Sequence, residues 1–402
     1  MSRRSRTSYN ADMASSTDSP PRSAGAPRRS PLSFARFDAG EVSGALGDLG
    51  TFLPLLLGMA SQNGLDFGAS LLFAGLFNLV TGALFSIPMA VQPMKAIAAV
   101  ALTQGLTAGQ IVAAGASVSA IILVLGVTGL MDRAARAIPT SLVRGIQLSL
   151  GLSLVIKGAQ MAAGPAAWLA WDGRLAALAA AGVALVSFSG RRFPSALILF
   201  AAGLLLAAAA DPAAVKSVGF ALYLPHWAPP TWADFRSSFV PAALPQIPLT
   251  ALNSVVAVCA LSVDLFPERP AEPKRVALSV GLMNLVGACF GAMPMCHGAG
   301  GLAGQYLFGA RTNGSVLLLG AAKTLAALAL GLTLIPLCRA FPHAILGVML
   351  AASGLELALV CRDQRSRGAA LSMLATAGVC LASGSAALGL AAGLIVHFAA
   401  ER

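Results

Sequence analysis

The sequence predicts an all-α polytopic membrane protein with fourteen crossings, arranged as two seven-crossing halves of opposite orientation, each interrupted by a half-helix. Three observations predict it. Of 402 residues, 57% are apolar and 11% charged, with mean hydropathy +0.78; an average soluble domain carries about 25% charged residues. From Val42 to Met131 the only charged side chains are Asp48, Asp66 and Lys95, too few to make a water-facing surface. Finally, two broken apolar segments half a chain apart share a motif.

Residues 1–38 are rich in Ser, Pro, Ala and Arg and cannot bury enough apolar surface to fold alone, so a disordered basic tail is expected there. It lacks the apolar stretch of a secretory signal, and an organellar transit peptide is the alternative to a cytoplasmic tail. The transmembrane domain then occupies 39–402. Its first half has spans near 42–60, 68–86, 109–130, 140–157, 173–189 and 194–210. The second has spans near 240–261, 275–292, 314–334, 342–360, 369–383 and 385–398. Each run approaches the length that spans a hydrocarbon core. Segments 88–106 and 294–310 are broken by proline, glycine and polar residues; counted as interrupted crossings, they bring the total to fourteen.

Charge tests that count. With a cytoplasmic N-terminus, Arg133, Arg136, Arg191, Arg192, Arg269, Lys274, Arg275, Arg311, Arg362, Arg365 and Arg367 fall inside with the tail arginines. Only Lys157, Arg174, Lys216, Arg236 and Arg339 fall outside, as the positive-inside rule requires. The net charge of +11 therefore reflects loop placement rather than a nucleic-acid surface. The host membrane, plasma or organellar, is not encoded here. Six cysteines in or beside apolar runs, with no CxxC pair, point to packing rather than to a metal or disulfides.

The broken segments repeat each other. Asn78-Leu79-Val80 precedes Pro88-Met89 by seven intervening residues, and Asn284-Leu285-Val286 precedes Pro294-Met295 by the same spacing, 206 positions on. Each copy falls on the third crossing of its half, and an odd number of crossings per half inverts the second. Paired interruptions of this kind mark a transporter's midplane site. A helix that starts within the membrane has unpaired N–H donors and about half a positive charge at that end. Two such starts facing each other would suit an anion.

Gln92, Pro93 and Met94 read as the start of the first half-helix, and His297, Gly298, Ala299, Gly300 and Gly301 as the start of the second. Lys95, one turn inside the first, is expected to supply positive potential or to pair with Asp48. Thr51 on the first crossing and Gln246 and Asn253 on the eighth would add hydrogen bonds. Asp48, His297 and Glu356 are the candidates for ion coupling. Arg144 and Glu356, in matching crossings, are expected to meet backbone or lipid, and Lys323 to be structural or interfacial. Neither a nucleophile–base pair, a P-loop nor a dinucleotide fingerprint is present, so enzymatic function and cofactors are not expected.

At these residues the chain resembles a known family. IPMAVQPMKAIAAVAL (87–102) and FGAMPMCHGAGGLAGQYLFGAR (290–311) resemble the two signatures of the molybdate transporter family, a branch related to the SulP sulfate permeases. GALGDLGTFLPL (44–55) and LPQIPLTALNSVVAV (244–258) are similar to its first and eighth crossings, and the likeness runs from Val42 to His397. It implies a SulP- and uracil-permease-like fold, a core of segments 1–4 and 8–11, a gate of segments 5–7 and 12–14, and a homodimer in membrane lipid. It implies molybdate as substrate, moved by alternating access. The chain ends at Arg402 with no room for a STAS domain, as in the molybdate branch. Sulfate or another oxyanion is the alternative substrate, and a non-transporting anion-binding receptor the alternative function.

Overall fold

A computed structural model describes residues 30–164, 168–189 and 193–400. Most of the predicted tail, and Arg191 and Arg192 of the inside-facing set, lie outside the described residues. The last part of the tail departs from expectation. Pro31–Phe34 forms a 3-10 turn. Arg36 N donates to Thr312 Oγ1 at 3.1 Å, and Asn313 Nδ2 to Pro31 O at 3.1 Å. Residues 30–38 are thus docked on the transmembrane domain, through backbone groups that composition does not reveal.

The first crossing is α1 (Ala39–Ala45) and α2 (Leu49–Asn63), separated at Leu46–Asp48, and α3 (Phe67–Leu84) follows. The chain then runs extended through β1 (Gln92–Pro93) into the half-helix α4 (Lys95–Gln104). Next come α5 (Ala108–Val127), α6 (Leu130–Ala137), α7 (Thr140–Ala162), α8 (Arg174–Phe188), α9 (Ser195–Ala210) and α10 (Pro212–Lys216). The second half opens with α11 (Trp232–Ser238), α12 (Leu244–Leu249) and α13 (Val258–Leu265), joined by π-helical turns at Phe239–Ala243 and Thr250–Ala257. After α14 (Pro273–Ala288), β2 (Met295–Cys296) leads into the second half-helix, α15 (Ala299–Leu307). The chain closes with α16 (Gly314–Leu330), α17 (Ile335–Arg339), α18 (His343–Leu359), α19 (Arg367–Ser383) and α20 (Ala386–Ala400).

Among the described residues, seven helical stretches are long and apolar enough to cross a membrane, and four shorter apolar helices accompany them. They coincide with eleven of the twelve predicted runs to within a few residues, except that the eighth crossing starts earlier, at Trp232; the run 275–292 corresponds to the shorter, more polar α14. Pro88 and Pro294 keep the helices from resuming, since each restricts the residue before it. α14 itself ends through Gly291 at φ +67°, where Ala292 N donates to Gly287 O at 3.0 Å.

Helix packing follows the repeat. α3 packs along α16, α14 along α5, and α7 along α18. A shift of 206 residues takes α3 to α14 and α5 to α16, so the first two pairings exchange and the third maps onto itself. Gly151 and Gly158 meet Gly354 and Gly347 in the α7–α18 seam, the small-residue packing that membrane helices use for close approach. The main core lies between α3, α4, α5, α14 and α15 around Phe67, Met89, Ile97, Ile111, Val280 and Leu302, all nearly inaccessible.

The loop contacts fall into two groups that the predicted crossings would put on opposite sides. On one, Arg269 and Arg275 donate to Ser86 O and Leu84 O at 3.0 and 3.1 Å, and Lys274 N to Asp132 Oδ1 at 3.0 Å. On the other, Tyr223 Oη donates to Asp66 Oδ2 at 2.7 Å and Ala344 N to Asp172 Oδ1 at 2.7 Å.

Candidate functional site

The two broken segments meet. β1 and β2 pair antiparallel, with Gln92 opposite Cys296 and Pro93 opposite Met295. Met94 N extends the ladder, donating to Pro294 O at 2.9 Å. Asn284 clamps the second strand: its Oδ1 accepts from Met295 N and its Nδ2 donates to Met295 O, both at 2.6 Å. A strand pair within a membrane domain is tolerable only when its backbone groups are satisfied by protein, as these are. The ladder therefore sets the starts of α4 and α15 side by side.

Gln92 and Asp48 form the centre. Gln92 Nε2 donates to Asp48 Oδ1, and both residues are buried. Asp48 sits at the break between α1 and α2, with the Thr51 side chain beside it. Gln92 Oε1 has no hydrogen-bond partner among the described residues. That oxygen lies where a Cβ on Gly298 would be, and Gln92 Nε2 and Ala90 crowd the equivalent point on Gly301. Hence these two glycines admit the Gln92 side chain, while Gly300 faces Leu154 of α7.

Two lysines act on Asp48 electrostatically, Lys95 and Lys323. Lys95 opens α4 and is half-buried. Lys323 on α16 is buried, donates to Asn78 Oδ1 at 3.2 Å and lies 3.6 Å from the Phe52 ring centroid. Two basic side chains and one acid make a set that would suit an anion when both lysines carry a proton. Among these four residues, sequence alone singled out Asp48 and Lys95 as the charged pair; the part played by Lys323 is visible only once α16 is packed on α3.

The half-helix starts are not equivalent. Gln246 Oε1 accepts from Ala96 N at 2.8 Å and Ile97 N at 3.3 Å, capping α4, and its Nε2 donates to Thr250 Oγ1 at 2.9 Å. The π-helical turn after α12 places these two side chains together. At α15 the cap residue is Gly298, which has no side chain to cap the helix, and residues 298–301 are buried. Asn253 is buried with Oδ1 unpartnered.

His297 is locked in place. Nδ1 lies 2.9 Å from Ala90 O and Nε2 2.9 Å from Ser279 Oγ, with the Phe85 ring edge-on at 5.7 Å. Since a carbonyl can only accept, Nδ1 carries a proton, and in the neutral ring Nε2 accepts from the serine. Glu356 lies apart from this cluster, on a cleft of about 560 Å³ with Arg311, Arg362 and Arg144.

Two anchors escaped the sequence. Glu41 Oε1 accepts from Arg311 N and Thr312 N, both at 2.9 Å, and Oε2 from Ser315 N at 3.1 Å, capping α16 and tying α1 to it. An acid in the first turn of a span was the available signal. Arg144 pairs with carboxylates rather than with backbone. It forks onto Asp264 and also binds Asp363, at 2.8 and 2.7 Å from Nη2. Among the described residues, no group of three or more His, Cys, Asp or Glu side chains could hold a metal.

A family profile described as "Molybdate transporter of MFS superfamily" matches residues 40–154 and 238–357. Molybdate transporter 2 of Arabidopsis thaliana is 42% identical over 400 residues, covering 89% of this chain and 86% of that protein. Molybdate transporter 1 of Chlamydomonas reinhardtii is 35% identical over 474 residues, covering 90% and 91%. Among solved structures, SLC26A9 matches with a TM-score of 0.60 at 14% identity, over 90% of this chain and 65% of that one. The transmembrane domain of the cyanobacterial bicarbonate transporter BicA matches with 0.57 at 15% identity, over 88% and 97%. These two likenesses show the fold.

Proposed function

The chain belongs to the molybdate transporter family, and from that premise we propose that it carries molybdate, a tetrahedral dianion, through the site built on Gln92, Lys95 and the start of α15. It is an integral multi-pass membrane protein and a secondary transporter of an oxyanion, not an enzyme.

The observation that supports the site is the pairing of β1 with β2, which sets the two half-helix starts side by side, with Lys95 opening one of them. The anion's oxygens would take the amides of Ala299 and Gly300, with Lys95 supplying charge and Thr51, Gln92 and Asn253 hydrogen bonds. Gln246 and His297 would act by holding α4 and the strand pair in place. Asp48 is the coupling group we favour: the His297 nitrogens are both engaged and Glu356 lies apart.

The full architecture we propose is fourteen crossings in a seven-plus-seven inverted repeat, with a core of segments 1–4 and 8–11 that moves against a gate of segments 5–7 and 12–14. The exchange of helix pairings under the 206-residue shift supports it. The N-terminus is taken as cytoplasmic and the unit as a homodimer in lipid. Uptake of labelled molybdate by cells lacking their own system tests the function. Wild-type protein should restore uptake and resist competition by excess sulfate; retained uptake by a Lys95→Ala, Gly300→Val double variant would refute the site.

A further inference from the structure

The geometry points to a latch between core and gate in which Arg144 is shared by two carboxylates with different tasks: Asp264 sets the resting position of the core, and Asp363 keeps the arginine paired when the core leaves. This rests on the core and gate division proposed above. Arg144 and Asp363 both belong to the gate, on α7 and on the turn after α18. Asp264 ends α13, in the core.

Arg144 Nη2 lies 2.8 Å from Asp264 Oδ1, with Nη1 on Asp264 Oδ2, and Nε and Nη2 lie 2.9 and 2.7 Å from Asp363 Oδ2. Nη1 also donates to Gln147 Oε1 at 3.0 Å, and Gln147 Nε2 to Ala257 O of the core at 3.0 Å. The arginine side chain is only 7% exposed, against 29% for Asp264 and 42% for Asp363. Among the described residues, these are the bridges that join an arginine or lysine to a carboxylate within 4.0 Å.

A guanidinium does not shed its proton in a protein, so Arg144 needs a counter-charge wherever the core stands. α7 and α18 are packed along the glycine seam and move as one body. When the core slides, the Asp264 fork and the Gln147–Ala257 bond must break, whereas the Asp363 bonds need not. One retained carboxylate removes the penalty of a buried, unpaired charge that would otherwise oppose the movement. The cleft of about 560 Å³, lined by Arg144 and Asp264 with Ser187, Arg311 and Glu356, provides a place to read the core's position.

The test labels Ser187→Cys, in a Cys361→Ser background, with an impermeant maleimide applied from the face that carries Arg311. Rates are normalised to protein amount and compared in Asp264→Asn and Asp363→Asn. Asp264→Asn should slow labelling about threefold or more, because the core leaves the position in which the cleft is open. Asp363→Asn should not slow labelling, yet should lower molybdate uptake about tenfold by stranding the arginine in the other state. Equal effects of the two variants on labelling, or none from either, would overturn the latch. Should an Asn variant be missing from the membrane, Asp264→Glu and Asp363→Glu make the same comparison through a lengthened arm. Labelling requires no transported ion, so it separates the latch from the assignment of molybdate, which uptake by the unsubstituted protein tests alone.

Discussion

Gln246 closes the first turn of a half-helix 150 residues away in sequence: its side-chain oxygen accepts a hydrogen bond from Ala96 N at 2.8 Å. An α-helix that begins inside a membrane needs acceptors for its leading amides, and here a neighbouring crossing provides one. The positive end of α4 is thereby fixed in position beside Lys95.

Replacing Gln246 by Ala strands the amides of Ala96 and Ile97. The expected cost is about 1–3 kcal/mol of stability, seen as a lowered melting temperature of the purified protein. Gln246→Glu should keep the cap but place a negative charge near the anion, lowering uptake about tenfold or more at unchanged protein level. Equal uptake by wild type and Gln246→Glu would show that the anion does not approach this helix start.

Lys95 and Lys323 should separate by readout. Lys95→Met removes the charge at the start of α4 and should weaken molybdate binding by about tenfold or more. Lys323→Met loses the bond to Asn78 and the contact with Phe52, so thermal stability should fall while binding changes less. Equilibrium binding and melting curves on the same preparations distinguish the two.

Gly298→Ala should fail because its methyl would collide with the Gln92 side chain. A forced overpacking of this kind costs about 1–3 kcal/mol. Adding Gln92→Ala should recover folded protein, measured by size-exclusion profile, without recovering uptake. If the double variant is no better folded than Gly298→Ala, the glycine serves something other than Gln92.

Acid should release the loop that carries Asp172. Burial pushes the Asp172 carboxyl up, but hydrogen bonds from His343 and Ala344 outweigh it and hold it below the usual carboxylate range. A depressed value means that the contact stabilises fully above the unfolded value of about 4 and is lost as pH falls through the folded one. Proteolysis in this loop should therefore increase under strongly acidic conditions, and Asp172→Asn should abolish that increase.

Hydropathy made the spans legible, since bilayer thickness sets their length, and Pro88 and Pro294 marked both interruptions. The strand register between Gln92 and Cys296 was not legible, because pairing across 200 residues leaves no local signature. Nor was the break at Leu46–Asp48, where the apolar run continues through the turn. Asp264 and Asp363 carry no local signal of a shared partner, and only folding shows them converging on Arg144. The glycines of the second signature were legible as a close approach, but the group that approaches Gly298 is the Gln92 side chain.

The most direct test is to locate molybdenum by its anomalous scattering in crystals of the protein grown with molybdate. The ion should lie at the start of α15, against the amides of Ala299 and Gly300 and facing Lys95. Molybdenum bound instead in the Arg311–Arg362 cleft, with nothing between the two half-helices, would contradict the account.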